Sequence, residues 1–196
     1  MLFPIASYLV GSIPFGKLLG QWAASIDITR RGSGNIGATN VAREIGIKWG
    51  LFTLFLDGSK GFFPVYLFGL FFPQFEAGHA AVGLSSLIGH QFSLFQRFRG
   101  GKGVATALGM YLALCPVPSL IALLVFVLTV CLCNYVSVGS VVSASIMPFV
   151  LIILGTSASL VLTSLIVAIL ICMKHKDNIH RLVTGRERRW KQRGVR

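Results

Sequence analysis

Acid is what this chain has least of. Its 196 residues include six carboxylates, Asp27, Glu44, Asp57, Glu76, Asp177 and Glu187. They are scattered, and a hard-cation site needs clustered carboxylates, so neither a metal nor any other cofactor is expected. Charge of either sign is scarce too, at 12% of residues, where soluble domains average about a quarter. With 54% hydrophobic residues and a mean hydropathy of +0.76, the composition excludes an ordinary water-soluble fold. It predicts one integral membrane domain over residues 1–196. No internal repeat and no low-complexity tract is evident. The four cysteines, Cys115, Cys131, Cys133 and Cys172, all sit in apolar stretches and read as small buried hydrophobes without a disulfide framework. No basic region precedes the first apolar segment, which therefore reads as a span and not as a cleavable signal. The net charge of +12 would suit nucleic acid. The cations, however, interrupt apolar runs, so no nucleic-acid partner is expected.

What is present is oil. A bilayer core of about 30 Å takes about 20 apolar residues per helix. Residues 2–24, 51–73, 77–95, 136–154 and 160–173 are candidates, and residues 104–133 are too long for one ordinary span. Pro116-Val117-Pro118 breaks that last stretch in the middle. Basic residues decide between one crossing and two. Arg30, Arg31, Arg43 and Lys48 form one group, Arg97, Arg99 and Lys102 a second. The third is the basic tail 174–196, with Lys174, Lys176, Arg181, Arg186, Arg188, Arg189, Lys191, Arg193 and Arg196. The positive-inside rule puts all three in the cytoplasm, and the turns near 74–78, 116–118 and 155–159 carry no cation. An even number of spans must separate the groups, so 104–133 reads as a helical hairpin. The expectation is an all-α membrane protein with seven transmembrane helices, N-terminus outside and C-terminus cytoplasmic. Several spans would be short, which calls for tilt or local bilayer thinning.

Lys17 and Lys60 fall inside apolar segments, where a charge is costly and marks function by default. Asp57 and Lys60 are three apart and can pair on one helix face, a structural role; Lys17 can snorkel to an interface.

Three polar segments carry chemistry. The first, Arg30 to Arg43, contains Gly32-x-Gly34-x-x-Gly37. That spacing matches a dinucleotide fingerprint, but a helical membrane chain has no βαβ unit to hold one. What remains is a turn exposing backbone amides, flanked by Ser33, Asn35, Thr39, Asn40 and Arg43, which suits an anion. The second, Arg97-Phe98-Arg99-Gly100-Gly101-Lys102-Gly103, lacks the Ser or Thr of a Walker A loop. It leads into the apolar run from Val104, where free helix-start amides and Lys102 suit an anion as well. The third runs from Lys174 to Glu187. There His175 and Asn178 share a face if the last span continues as helix, and histidine suits proton transfer near neutral pH. A polybasic tail on anionic lipid is the competing use of this stretch. Ser137 and Ser140 form a smaller cluster, either packing helices or donating to a ligand.

In order along the chain come Gly32-Ser-Gly-Asn-Ile-Gly-Ala-Thr-Asn40, then Gly89-His90-Gln-Phe92 with Arg99-Gly-Gly-Lys-Gly103. His175-x-x-Asn178-Ile-x-Arg181-Leu-x-x-Gly185-x-Glu187 follows. Together, from Gly11 to Glu187, they resemble the bacterial acyl-phosphate:glycerol-3-phosphate acyltransferase family (PlsY). Arg99 stands where lysine is usual, Ser93 where proline is usual and Asn134 where a basic residue is common. The resemblance implies an enzyme of phospholipid synthesis in the bacterial inner membrane, with its site on the cytoplasmic side. It would move an acyl chain from acyl phosphate to the 1-hydroxyl of glycerol 3-phosphate, giving lysophosphatidic acid and phosphate. By the same resemblance Ser33, Arg43, Lys102, His175 and Asn178 are the catalytic set. Ser140, Asn35, Asn40, Gly100, Gly101, Gly103 and Glu187 are the substrate-binding set. Partners are the two substrates and membrane lipid, with no obligate protein. The general base is either His175 or a phosphate oxygen of the substrate. An anion or phospholipid transporter is the alternative, disfavoured because the polar groups gather on one face. A CDP-alcohol phosphotransferase would want more aspartates beside Asp57-Gly58, and no histidine here has aspartate five residues on.

Overall fold

The computed structural model describes Leu2–Trp190, so Lys191, Arg193 and Arg196 of the basic tail lie outside the described residues. Among these, every regular element is helical. The helices are α1 (Leu2–Ser12), α2 (Phe15–Ala24), α3 (Ala38–Ile45), α4 (Ile47–Phe71), α5 (Glu76–Gln91), α6 (Val104–Leu114), α7 (Pro116–Cys133), α8 (Val136–Ile153), α9 (Ala158–Lys174) and α10 (Lys176–Val183). The chain divides into two compact units, Met1–Pro116 and Val117–Arg196.

The break expected at Pro116 within 104–133 falls between two helices, α6 and α7, that part at Cys115-Pro116. Pro14 parts α1 from α2 in the same way, since its ring cannot continue a helix whose preceding turn needs an N–H. Three stretches among the described residues are long and apolar enough to cross a bilayer: Leu2–Ala24, α7 and α8. A fourth is reached if α9 and α10, bent by 57° at His175, count as one. The physical reason that the other expected spans fall short is visible in each. α4 is 25 residues long but carries Asp57 and Lys60, α5 has 16 residues, and α6 has 11.

Small residues set the packing of the first unit. α1 and α5 run in the same direction. Ser7 Oγ donates to the Val82 carbonyl (2.7 Å), and five residues on Ser12 Oγ donates to that of Gly89 (3.3 Å). Ser93, which stands where the resembling family favours proline, is buried and donates to the Ser12 carbonyl (2.5 Å). α4 and α6 touch through glycine. A Cβ on Gly109 would overlap the Gly58 carbonyl and one on Gly61 the Thr106 carbonyl. Thr106 Oγ1 fills the remaining space by donating to the Asp57 carbonyl (3.0 Å). In the second unit α8 packs on α9, and Gly139 of α8 lies close to Phe126 and Val130 of α7.

Gly109→Ala is expected to destabilise the protein by about 1–3 kcal/mol, the usual cost of overpacking, because the new methyl meets backbone that cannot rotate away. Thermal unfolding of purified protein in detergent measures this. A melting point unchanged from wild type would contradict the close α4–α6 approach.

Candidate active site

The first glycine segment is held by one side chain. Asn40, buried on the first turn of α3, donates from Nδ2 to the carbonyls of Ile28 (3.3 Å), Arg31 (3.1 Å) and Asn35 (2.9 Å), and its Oδ1 accepts from Ser33 N (2.9 Å). Asn35 Oδ1 accepts from Gly37 N (2.8 Å), a local Asx turn that feeds the chain into α3. Gly32 and Gly34 both have positive φ, +59° and +72°. At Gly32 a side chain would also strike the Asn40 and Glu44 side chains. Asp27 caps the short 3-10 turn before the loop by accepting from Thr29 Oγ1 (2.7 Å) and Thr29 N (3.0 Å). Those bonds, the side-chain one first, hold its carboxyl below the usual range. Beneath the loop Ile28, Ile36 and Val41 form a small core with Ile26, Ile45 and Trp49. Thus Asn35 and Asn40, expected to touch substrate, have their amides engaged in shaping the loop. Ser33 is exposed on it, and Arg43 is half-buried in the last turn of α3.

The second glycine segment is clamped to the end of α5. Gly101 N donates to the His90 carbonyl (3.0 Å), Gly100 N to that of Gln91 (3.2 Å), and Gln91 Nε2 to that of Lys102 (2.9 Å). A Cβ would overlap the His90 carbonyl at Gly100, His90 Nε2 at Gly101 and the Leu87 side chain at Gly103. Gly103 has φ +81° and starts α6. The three glycines are therefore there for close approach, and Lys102 rides between them. The first turn of α2 touches the first segment, the residue preceding the second, and Lys60 of α4. Phe15 lies under Lys60 (5.0 Å to the ring), Gly16 abuts the Ile36 carbonyl, and Lys17 Nζ reaches Gln96 Oε1 (3.5 Å).

The third segment differs from expectation. The last long helix does not run on through Asn178. α9 ends at Lys174, and His175 (φ −100°, ψ 5°) is the joint from which α10 leaves at a bend of 57°. His175 is 2% exposed. Its Nδ1 donates to the Ile171 carbonyl (2.8 Å), which assigns the proton to Nδ1 and leaves Nε2 as the basic nitrogen. Asn178 lies on α10 and binds Glu187, not a continuation of α9. Glu187 Oε1 accepts from Asn178 Nδ2 (2.6 Å) and Ser137 Oγ (2.7 Å), and Oε2 accepts from Arg181 Nε (2.8 Å). Burial raises the Glu187 carboxyl, but the bonds from Asn178, Ser137 and Arg181, with the Arg181 charge, outweigh it and hold the group below the usual carboxylate range. Ser140 Oγ donates to the Val136 carbonyl (2.9 Å). Beside this knot is an apolar hollow of about 120 Å³, lined by Ser137, Val138, Val141, Val142, Asn178, Ile179 and Leu182.

The structure thus gathers Ser33, Asn35, Asn40 and Arg43 on one loop and helix, and Gly100 to Gly103 on a second loop. In the second unit it joins Asn178 to Glu187. Glu187 also draws in Ser137, read from the sequence as a packing or ligand-donating residue, and Arg181, to which no role was assigned; in the first unit His90, likewise without an assigned role, abuts Gly101. No local pattern in the sequence announces that Asn178, Ser137 and Arg181 all donate to Glu187. The first unit thus offers two glycine loops with cations beside them, and the second an imidazole whose Nδ1 is the donor to the Ile171 carbonyl.

A profile of the family described as glycerol-3-phosphate acyltransferase matches residues 1–185. Proteins named glycerol-3-phosphate acyltransferase from Desulfotalea psychrophila and Trichlorobacter lovleyi are 44% and 45% identical. Each match covers 97% of this chain, and 98% and 97% of the relative. Among solved structures, the crystal structure of PlsY, an integral membrane glycerol 3-phosphate acyltransferase, in its glycerol 3-phosphate form superposes with a TM-score of 0.92. It is 37% identical over 96% of this chain and 94% of that one. Its lysophosphatidic acid form gives 0.90, again at 37%, over 96% and 93%.

A carboxyl lowered by folding adds stability that is complete above its unfolded value, about 4.3 for Glu, and that is lost as pH falls through the lowered folded value. Wild-type melting temperature is therefore expected to drop below about pH 4.3. Glu187→Gln is expected to melt lower than wild type at pH 7, with the gap closing as acid is added. A gap that stays constant with pH would refute the assignment.

Proposed function

This chain belongs to the glycerol-3-phosphate acyltransferase family, and from that premise we propose that it moves an acyl chain from acyl phosphate to the 1-hydroxyl of glycerol 3-phosphate. Lysophosphatidic acid and inorganic phosphate are the products. One observation carries the reading. The family match spans residues 1–185 and so contains Ser33, Arg43, Lys102, Ser140, His175 and Asn178, the polar groups that the resemblance assigns to two phosphate-bearing substrates. Glu187 lies two residues past its end.

In this reading the protein sits in the bacterial inner membrane with seven spans, N-terminus outside, and with the site on the cytoplasmic side. The shared direction of α1 and α5 favours α4 returning between them, and the three basic segments favour one common side. Ser33, Arg43 and Lys102 bind substrate phosphate. Ser140, His175 and Asn178 hold and orient glycerol 3-phosphate. Asn35, Asn40, Gly100, Gly101 and Gly103 shape the two loops, and Glu187 fixes Asn178.

The donor is a mixed anhydride and needs no further activation. The glycerol hydroxyl attacks the acyl carbonyl, the new ester C–O bond forms, and the carbonyl-to-phosphate bond breaks. The hydroxyl proton passes either through His175 Nε2 or directly to a phosphate oxygen, and it ends on the released phosphate. Cations and loop amides stabilise the charge that develops on phosphate and carbonyl oxygen. Ser33 acts as a hydrogen-bond donor, with no acyl-serine formed.

Arg43→Ala is expected to raise KM for glycerol 3-phosphate about 10- to 100-fold, the loss of one charge-assisted contact. His175→Ala is expected to lower kcat about 10²- to 10⁴-fold. Near-normal kinetics in both would overturn the site.

Purified protein given glycerol 3-phosphate and acyl phosphate, without added metal, is expected to release phosphate in step with ester formation. Acyl transfer from acyl-CoA alone would reassign the donor. A trapped acyl-Ser33 or acyl-Ser140 would overturn direct attack, and vesicles that carry glycerol 3-phosphate without acylating it would favour transport.

A further inference from the structure

Asp57, Lys60 and His90 have no part in the transfer step, yet they form a charged cluster sealed inside the first unit. Lys60 Nζ lies 2.7 Å from Asp57 Oδ1, with side chains 1% and 3% exposed. The same ammonium is 3.3 Å from His90 Nδ1, itself 3.8 Å from Asp57 Oδ1. An ammonium only donates, so His90 Nδ1 accepts and the ring proton sits on Nε2. That Nε2 edge is the surface against which Gly101 is pressed. The His90 carbonyl receives Gly101 N, and the neighbouring Gln91 grips Lys102 through its carbonyl. Further bonds steady the helices that carry the cluster: Ser86 Oγ donates to the Lys60 carbonyl (2.6 Å) and Thr106 Oγ1 to that of Asp57 (3.0 Å).

A buried ion pair is weak evidence for stability, since well-packed apolar residues often do as well. Stability alone therefore leaves three ionisable groups at this spot unexplained, whereas the contact with Gly101 gives them a task. We propose that Asp57, Lys60 and His90 are positioning residues of the acyl transfer reaction. The ion pair fixes the imidazole, the imidazole edge fixes Gly101, and the Gly100–Gly103 loop is thereby held in the shape that presents Lys102 to a phosphate group. The idea rests on the reading of Lys102 as a phosphate-binding residue.

Kinetics for both substrates in wild type, His90→Asn, Lys102→Ala and the combination provide the test. Asparagine keeps an acceptor for Lys60 and leaves the ion pair matched while removing the ring edge from Gly101. His90→Asn is expected to raise KM for one of the two phosphate substrates about tenfold, the scale of one misplaced charged contact. Its kcat is expected within about twofold of wild type, since no reacting group is removed. In the Lys102→Ala background the same change is expected to add nothing, because a device that acts through Lys102 has nothing left to position. The pair Asp57→Asn/Lys60→Met removes both charges together. It is expected to show the same KM rise and the same non-additivity, and it serves if His90→Asn does not fold.

Unchanged KM in these variants, with KM raised in Lys102→Ala, overturns the positioning role and leaves the phosphate reading standing. Full additivity with Lys102→Ala overturns it as well. Unchanged KM in Lys102→Ala overturns the phosphate reading itself.

Discussion

An ammonium and a carboxylate shut away from water set the terms for the first unit. Lys60 and Asp57 face each other at 2.7 Å, and since a buried charge without its partner is strongly destabilising, the match demands close quarters. Glycine at positions 61 and 109 lets α4 and α6 approach until backbone nearly touches backbone. His90 then completes the cluster from α5. Two of these three helices, α5 and α6, flank the Gly100–Gly103 loop. The packing that satisfies a buried charge is thus the packing that shapes a surface loop, and a change to one is felt in the other.

Two further polar centres follow the same logic with different chemistry. Asn40 uses its amide nitrogen and its oxygen to tie a loop that has no ladder of its own. Glu187 uses both oxygens to collect Asn178, Ser137 and Arg181, and so brings the chain after α10 back to the start of α8. One centre is neutral and the other charged. Acid should therefore loosen the second before the first.

Much of this was legible in the sequence where the information is local. The Asp57–Lys60 pair followed from a spacing of three on a helix, and the α6–α7 break followed from Pro116. The family followed from three ordered motifs. What was not legible depends on tertiary contact. His90 joins Lys60 across thirty residues, and no local pattern foretells that. The bend at His175 has no proline or glycine to announce it. The Asn178–Glu187 bond that accompanies the bend is formed across nine residues, beyond the reach of a helix-spacing rule. Asn35 and Asn40 read as ligand groups because a polar loop residue is ambiguous: the same amide serves a substrate or the loop's own carbonyls. The shortness of α6 likewise reflects where Gly103 starts it, which hydropathy alone does not mark.

The bonds between α1 and α5 bear on how the chain is made. Ser7, Tyr8 and Ser12 find their distant partners at Val82, Phe92, Gly89 and Ser93, between 75 and 84 residues later. At usual rates of translation that is a wait on the order of ten seconds. Throughout it, the first helix has its hydroxyls, and Gly11, whose missing Cβ makes room for the Ser86 carbonyl, without their final neighbour. Insertion of α1 therefore precedes its stabilisation by a long interval, and during that time the nascent helix must rely on its own backbone carbonyls or on whatever the insertion machinery offers.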